Sequence, residues 1–144
     1  MYDFTQFIIE YLKDNFKDYS VEYGKDYNSE KKFPQITISV LNDEENQQFS
    51  DFQDERVTSC GLQVNWFAEA TIIDDEIYDA QTSAIMIGDK IKQLFNKLRN
   101  ERSNSNILTM RRVGTQAINP YDIGSQLYYG TTRFNFNISN PYTK

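Results

Sequence analysis

At 144 residues, the chain has the length of a single domain, and its one cysteine, Cys60, excludes an internal disulfide. It is composed like a soluble globular protein, with 39% hydrophobic and 25% charged residues, and no apolar run nears the roughly 20 residues that cross a membrane, so we expect no membrane partner. The net charge of −6 is uneven: residues 1–60 hold 13 acidic and 6 basic side chains, whereas residues 90–112 hold one acidic and seven basic.

The first elements predicted are a helix and a short strand. Apolar side chains over residues 4–16 recur at the spacing of one helix face: Phe4, Phe7, Ile8, Tyr11 and Leu12. Residues 19–23 are typical of a short strand that ends at Gly24.

A second strand and an acidic segment follow. Residues 33–41 alternate apolar and polar side chains, which predicts a strand with Pro34 at its start. Residues 42–59 contain six acidic residues and three glutamines, and a loop of this length is often functional. It is predicted to be a long acidic loop or a hairpin arm; a disordered insertion is the alternative. The acidic residues expected at an interface are Glu44, Glu45, Asp51, Asp54 and Glu55.

The longest predicted strand covers residues 61–73. Every second side chain from Leu62 to Ile72 is apolar, which indicates a buried face. Phe67 interrupts the polar face, so we expect it either to pack under a covering segment or to contact another subunit.

A second amphipathic helix is predicted over residues 78–99. Its apolar stripe consists of Ala84, Ile87, Ile91, Leu94, Phe95 and Leu98. Acidic residues precede it, Asp79 is expected in its first turn, and Lys97 and Arg99 fall in its last turn, which is the charge order that the helix dipole favours.

The remaining pattern predicts a strand over residues 107–113, a loop over 114–126 and a last strand over 127–139. Arg111 and Arg112 are adjacent, so they point to opposite faces of the first of these strands. The loop is indicated by Gly114, the Asn119-Pro120 pair and Gly124.

The predicted order is therefore α-β-β-β-α-β-β in one domain spanning residues 1–144. Sequential strands with two helices predict an α+β fold, in which an antiparallel or mixed sheet carries both helices on one face. The other face of the sheet remains for contacts.

The residues point to little chemistry. The chain has no histidine, Cys60 has no thiol or imidazole partner, and no phosphate-binding glycine loop occurs, so we expect no catalytic residues, no metal and no cofactor. One alternative is a small metal-dependent enzyme, because carboxylates near a strand end can hold magnesium. Its ligands would be Asp74, Asp75, Glu76 and Asp79. The simpler interpretation is an acidic helix start.

A second alternative is a module that binds nucleic acid or another partner through the basic segment 90–112. Its side chains are Lys90, Lys92, Lys97, Arg99, Arg102, Arg111 and Arg112. The acidic chain as a whole would repel phosphates at a distance, which favours a solvated helix surface or a docking site for an acidic loop.

The sequence resembles the tail terminator and tail completion proteins of long-tailed bacteriophages. The resemblance covers nearly the whole chain as an order of elements, and its anchors are Met110-Arg111-Arg112, the Pro120-Tyr121-Asp122 turn, and Tyr128-Tyr129 leading into the last strand. Residues 42–59 depart from it, because their contacts have no counterpart that can be aligned.

The resemblance implies a ring, typically a hexamer, that is seated on the last ring of the tail tube in the virion after assembly in the host cytoplasm. Such a ring ends tube polymerisation, joins the tail to the head or neck connector, and lets DNA pass through its lumen without specific binding. No catalytic residues transfer. Besides the acidic residues above, the side chains expected at its interfaces are Phe67, Arg111, Arg112, Tyr121 and Tyr128.

Overall fold

The computed structural model describes residues 2–24, 26, 31–46, 57–73, 75–100, 107–120 and 127–139. Over these residues the chain forms two helices and seven strands: α1 (Tyr2–Asn15), β1 (Ser20–Tyr23), β2 (Gln35–Asn46), β3 (Val57–Ala68), β4 (Thr71–Ile73), β5 (Glu76–Tyr78), α2 (Ala80–Asn100), β6 (Ile107–Pro120) and β7 (Tyr128–Ser139). The α+β class and the predicted order of the principal elements are confirmed, with the small hairpin β4–β5 as an addition. Neither helix is long and apolar enough to span a membrane.

Five strands form one mixed sheet in the order β1-β2-β3-β7-β6. β1 is parallel to β2, and the other neighbours are antiparallel. The two central strands are β3 and β7, which pair without interruption from Val57↔Ser139 to Ala68↔Tyr128. β4 and β5 form a separate two-stranded ladder.

The core lies between one face of this sheet and the two helices. β3 presents Leu62, Val64 and Trp66 to the helices, and the paired residues of β2 and β7 lie on the same face. α1 is joined to this face by Phe4, whose ring meets that of Phe136 edge-on at 5.0 Å between centroids. The other buried side chains of this core include Ile8, Leu12, Ile36, Ile38, Ile87, Ile91, Phe95 and Phe134. Both helices therefore pack on one side of the sheet, as predicted.

The two helices are also bonded to each other. The hydroxyl of Tyr11 in α1 donates to the carbonyl oxygen of Leu94 in α2 at 2.8 Å. The Lys90 ammonium of α2 donates to the carbonyl oxygen of Asn15 at 2.8 Å and lies 4.5 Å from the centre of the Phe16 ring. A cation at the last carbonyls of α1 is also where the helix dipole favours it.

Several predicted boundaries are wrong, because long-range pairing and not the local sequence signal decides where a strand begins and ends. β2 runs through residues 42–46 and β3 starts at Val57, so the flanks of the segment predicted as an acidic loop or a hairpin arm form a ladder that ends at Asn46↔Val57. Residues 47–56 lie outside the described part of the chain. The strand predicted over 61–73 ends at Ala68, where its partner β7 begins.

The loop predicted from Gly114 is also wrong in its first half. β6 continues to Pro120. Gly114 falls within a register shift between Val113 and Ala117, so it does not end the strand. Pro120 is the last residue of an edge strand, a position where a missing N–H costs no ladder bond. β7 extends far enough to pair with these residues, and that long-range ladder outweighs the turn signals.

Candidate assembly interface

The acidic cluster does not form a metal site among the described residues. Asp79 lies immediately before α2 and caps it, since its Oδ1 accepts the backbone N–H of Thr82 at 2.7 Å and its carbonyl oxygen accepts the N–H of Ser83 at 2.9 Å. The hydrogen bonds from Thr82 lower the pKa of the Asp79 carboxyl below its ordinary range. The expectation of Asp79 in the first helical turn is therefore corrected to the N-cap position, where a carboxylate satisfies free N–H groups.

The other acidic residues near α2 belong to the β4–β5 hairpin. Ile73 pairs with Glu76 across its turn, and Asp75 has a φ of 67°, the left-handed conformation that such turns require. Glu76 accepts a hydrogen bond from the Tyr78 hydroxyl at 2.9 Å. Asp74 lies outside the described residues, and the rest contain no group of three potential ligands that could hold a metal ion.

The basic residues of segment 90–112 are spread over several surfaces. Lys90 is bonded to the end of α1, whereas Lys92 and Lys97 are exposed on α2. Arg111 pairs with Asn135 and Arg112 with Phe134, which places the two arginines on opposite faces of β6, as predicted. Arg102 is outside the described residues. The described basic side chains therefore lie on several elements and on both faces of β6.

The sheet face without helices is largely polar. A hydrogen-bond chain crosses three strands, in which Ser59 Oγ donates to Asn137 Oδ1 and Asn137 Nδ2 donates to Thr109 Oγ1, both at 2.7 Å. Beside it lies a depression of about 410 Å³ whose lining includes Arg111 and Asn135. The exposed guanidinium of Arg111 thus stands at the end of a polar ladder beside the open edge of the sheet.

Phe67 lies on the same polar face but is only 2% exposed. Its ring stacks on that of Tyr129, with centroids 6.1 Å apart and planes at 24°. Of the two expectations for Phe67, packing inside the subunit is the one observed, and this leaves the side chain little surface to offer a second copy. Tyr128 is half-buried and packs against the core.

One end of the sheet carries an acidic edge, which we define as the outer edge of β2 over residues 39–46. β1 pairs with β2 only as far as Tyr23↔Ile38, and no described strand lies beside β2 after that point. This edge includes Asp43, Glu44 and Glu45, and it displays Leu41 at 44% exposure. Glu44 and Glu45, two of the predicted interface residues, therefore lie on a strand and not in a loop.

The other end carries a basic edge, the outer edge of β6 over residues 107–112. β6 is the last strand of the sheet, and no strand of the described chain pairs with its outer side. It holds Arg111 and Arg112, both exposed. The remaining predicted interface residues, Asp51, Asp54, Glu55 and Tyr121, lie outside the described residues.

Three further side chains are exposed and apolar, and they were not predicted from the sequence. Ile77 in β5 is 79% exposed, and Ile85 and Met86 in the second turn of α2 are 42% and 39% exposed. The exposure of Ile85 and Met86 could have been predicted from the sequence, because both residues lie outside the apolar stripe of α2. Large apolar side chains that are exposed in this way can belong to contact surfaces.

A groove between the end of α1 and β1 is lined by Lys13, Lys17 and Lys31 among others, with a volume of about 350 Å³. Lys31 is paired with Glu22. Burial, and then the charge of Asp18, raise the pKa of the Tyr19 hydroxyl, which keeps this phenol neutral. The groove has no buried polar group directed into it among the described contacts that would mark a ligand site.

In comparisons with known proteins, no protein-family model matches the chain, and no curated protein is significantly similar to it.

Proposed function

We propose that the chain is a structural subunit that assembles head to tail into a closed ring. Following the resemblance of its sequence, this ring caps the tail tube of a long-tailed bacteriophage, ends tube polymerisation and joins the tail to the head or neck. The protein acts through shape and contacts, and not through turnover of a substrate.

The observation that carries the proposal is the opposite charge of the two sheet ends. The acidic edge contains Asp43, Glu44 and Glu45, and the basic edge contains Arg111 and Arg112. A ring requires two different, mutually complementary patches on each subunit, because each copy contacts its two neighbours through different surfaces. Opposite charges favour this arrangement and disfavour a twofold dimer, which would place like charges together.

A capping ring also needs a surface for the tube or neck that is distinct from its subunit contacts. Ile77 belongs to the hairpin, and Ile85 and Met86 belong to α2, so none of the three is part of the two outer strand edges. Exposed apolar area of this kind supports a contact with a second protein. The acidic excess of residues 1–60 suits a lumen through which DNA slides, since carboxylates do not bind phosphates.

The test is a tube-capping assay. The tail-tube protein of the same virus is polymerised with and without the purified chain, and the tubes are imaged by negative-stain electron microscopy. We expect the chain to form a ring at one tube end and to stop elongation there. Tubes that lengthen at an unchanged rate in a molar excess of folded protein, with no added density at their ends, would refute the proposal.

Ile77→Ser provides a matched variant for this assay. The side chain is 79% exposed, so the substitution leaves the core intact, but it removes apolar area from the surface assigned to the tube or neck. We expect Ile77→Ser to form the same oligomer as the natural protein and to cap tubes less completely.

A further inference from the structure

The acidic and basic edges lie at the same level along the strands. In one row across the sheet, Arg111 pairs with Asn135, Asn135 with Gly61, and Gly61 with Asn42. In the next row on that face, the residues are Thr109, Asn137, Ser59 and Glu44. The acidic edge and the basic edge are therefore separated across the sheet, in the hydrogen-bonding direction. They are not shifted relative to each other along the strands.

The strand directions are also compatible. β2 is antiparallel to β3, β3 to β7 and β7 to β6, so β6 runs opposite to β2. If a second copy continues the sheet in the hydrogen-bonding direction, its β2 lies beside β6 of the first copy in antiparallel orientation. β1 covers the outer side of β2 only up to Ile38, so residues 107–112 of β6 can approach residues 39–46 of β2. Residues 117–120 of β6 stand level with β1 and have to turn away from it, which the irregularity between Val113 and Ala117 allows.

We propose that neighbouring copies join through an antiparallel β-ladder between the basic edge of one copy and the acidic edge of the next. Over these residues, the sheets of adjacent subunits then continue into each other, with the helices on the same side. This inference rests on the proposed ring and specifies how its subunits bind. The partner that fits the basic edge is thus a second copy of this chain, presenting residues 39–46.

Backbone hydrogen bonding and charge act together at this boundary. Strand addition satisfies the outward N–H and C=O groups of both edges, which is the common mode of recognition at an open sheet edge. The charges select the pairing: β6 against β6 would bring arginine beside arginine, and β2 against β2 would bring carboxylate beside carboxylate. Like charges across a ladder are destabilising, so only the mixed pairing remains favourable.

The face on which each residue lies gives a sharp test. Thr109, Arg111 and positions 42 and 44 share the polar-face rows, whereas Arg112 shares a row with Phe134 on the helix-bearing face. Four chains are made, each with one cysteine at position 109 or 111 and one at position 42 or 44. Together they detect the ladder even if its register is shifted by two residues. After mild oxidation, at least one chain should form covalent multimers. Arg112→Cys with Glu44→Cys is the matched control, which should not cross-link because its two thiols face opposite sides of the continuous sheet.

Charge reversal gives an independent test. Arg111→Glu/Arg112→Glu makes both edges acidic, and Asp43→Lys/Glu44→Lys/Glu45→Lys makes both edges basic. Each variant alone should self-associate about tenfold or more weakly in sedimentation velocity, because charge reversal removes two or more favourable contacts and replaces them with repulsion, and about 1.4 kcal/mol in total is tenfold. An equimolar mixture should recover the association, since each variant can now alternate with the other. Circular dichroism must show that both variants are folded.

The outcomes separate the ladder from the proposed function. Rings that form while none of the four cysteine chains cross-links, or a charge-reversed mixture that does not recover, would overturn the ladder and leave the ring standing. Cross-linking by the control pair as efficient as by the four polar-face pairs would also overturn it. Specific cross-linking by a chain that does not cap tubes would support the ladder and overturn tube capping.

Discussion

Gly130 lies against the indole ring of Trp66, its partner across the central ladder. A β-carbon at position 130 would come within 2.3 Å of the ring atoms Cε2 and Cζ2. The indole cannot easily move, because it is fully buried and its Nε1–H donates to the carbonyl oxygen of Ala84 in α2 at 2.8 Å. The absence of a side chain at Gly130 therefore sets how closely α2 approaches the sheet through Trp66.

The first prediction follows from this contact. Gly130→Ala should lower the free energy of unfolding by about 3 kcal/mol, at the upper end of the usual cost of overpacking a core. Urea unfolding followed by circular dichroism measures it. Trp66→Leu/Gly130→Ala is the control: the smaller side chain makes room for the methyl group, so the double variant should lose clearly less than the sum of the two single losses. Additive losses would mean that the two positions do not compete for space.

The cap of α2 predicts a pH dependence. The pKa of the Asp79 carboxyl is lowered in the folded chain, so its contribution to stability is complete above the ordinary aspartate pKa and is lost as pH falls through the lowered value. Asp79→Ala should therefore have a lower Tm than the natural protein at neutral pH, and the difference should shrink in acid. Asp79→Asn keeps a neutral cap and should lack this pH-dependent difference. A Tm difference for Asp79→Ala that stays constant down to strongly acidic pH would contradict the assigned role.

The contact between the helices gives a comparison within one helix. Lys90→Ala removes the hydrogen bond to the Asn15 carbonyl oxygen and the contact with the Phe16 ring, and should cost about 1 kcal/mol in the free energy of unfolding. Lys92→Ala, also on the exposed surface of α2, should change stability by no more than about 0.5 kcal/mol. Equal effects of the two substitutions would show that Lys90 stabilises the chain only through its charge.

The rings of Phe95 and Phe134 are stacked inside the core. Their centroids are 4.1 Å apart, their planes are nearly parallel at 11°, and both side chains are buried. Phe134→Ala should lower the free energy of unfolding by about 3–5 kcal/mol, a large part of the total for a domain of this size. Ile77→Ala, which truncates an exposed residue, should leave stability within about 0.5 kcal/mol of the natural value. Denaturant unfolding of both variants under one set of conditions measures the two changes in the free energy of unfolding.

The acidic segment between β2 and β3 gives a prediction for assembly. Deleting residues 51–55 should spare the fold, because five residues would still connect the paired residues Asn46 and Val57, and a loop of five residues can close a hairpin. The deletion should spoil control of tail length if this segment contacts the tube or lines the lumen. Thermal unfolding checks the fold, and the length distribution of tails assembled with the variant checks the function. Normal tail lengths would remove this segment from the mechanism.

The periodic segments could be predicted from the sequence, because periodicity is local and reports which side of an element is buried. The apolar stripe of α2 identified Ala84 to Leu98, and the alternation of β7 identified Phe134, Phe136 and Ile138, all of which are buried. The adjacency of Arg111 and Arg112 was enough to place them on opposite faces of a strand, since side chains alternate along any strand.

The tertiary structure alone decided where pairing ends and which strands are neighbours. Residues 42–46 are rich in acidic residues that disfavour strands, yet they form a ladder because β3 continues beside them. Phe67 is buried through contacts with residues distant in sequence, such as Tyr129. The sheet order β1-β2-β3-β7-β6 places the acidic and basic edges at opposite ends of the same rows, and such an order depends on long-range strand pairing that no local spacing of residues encodes.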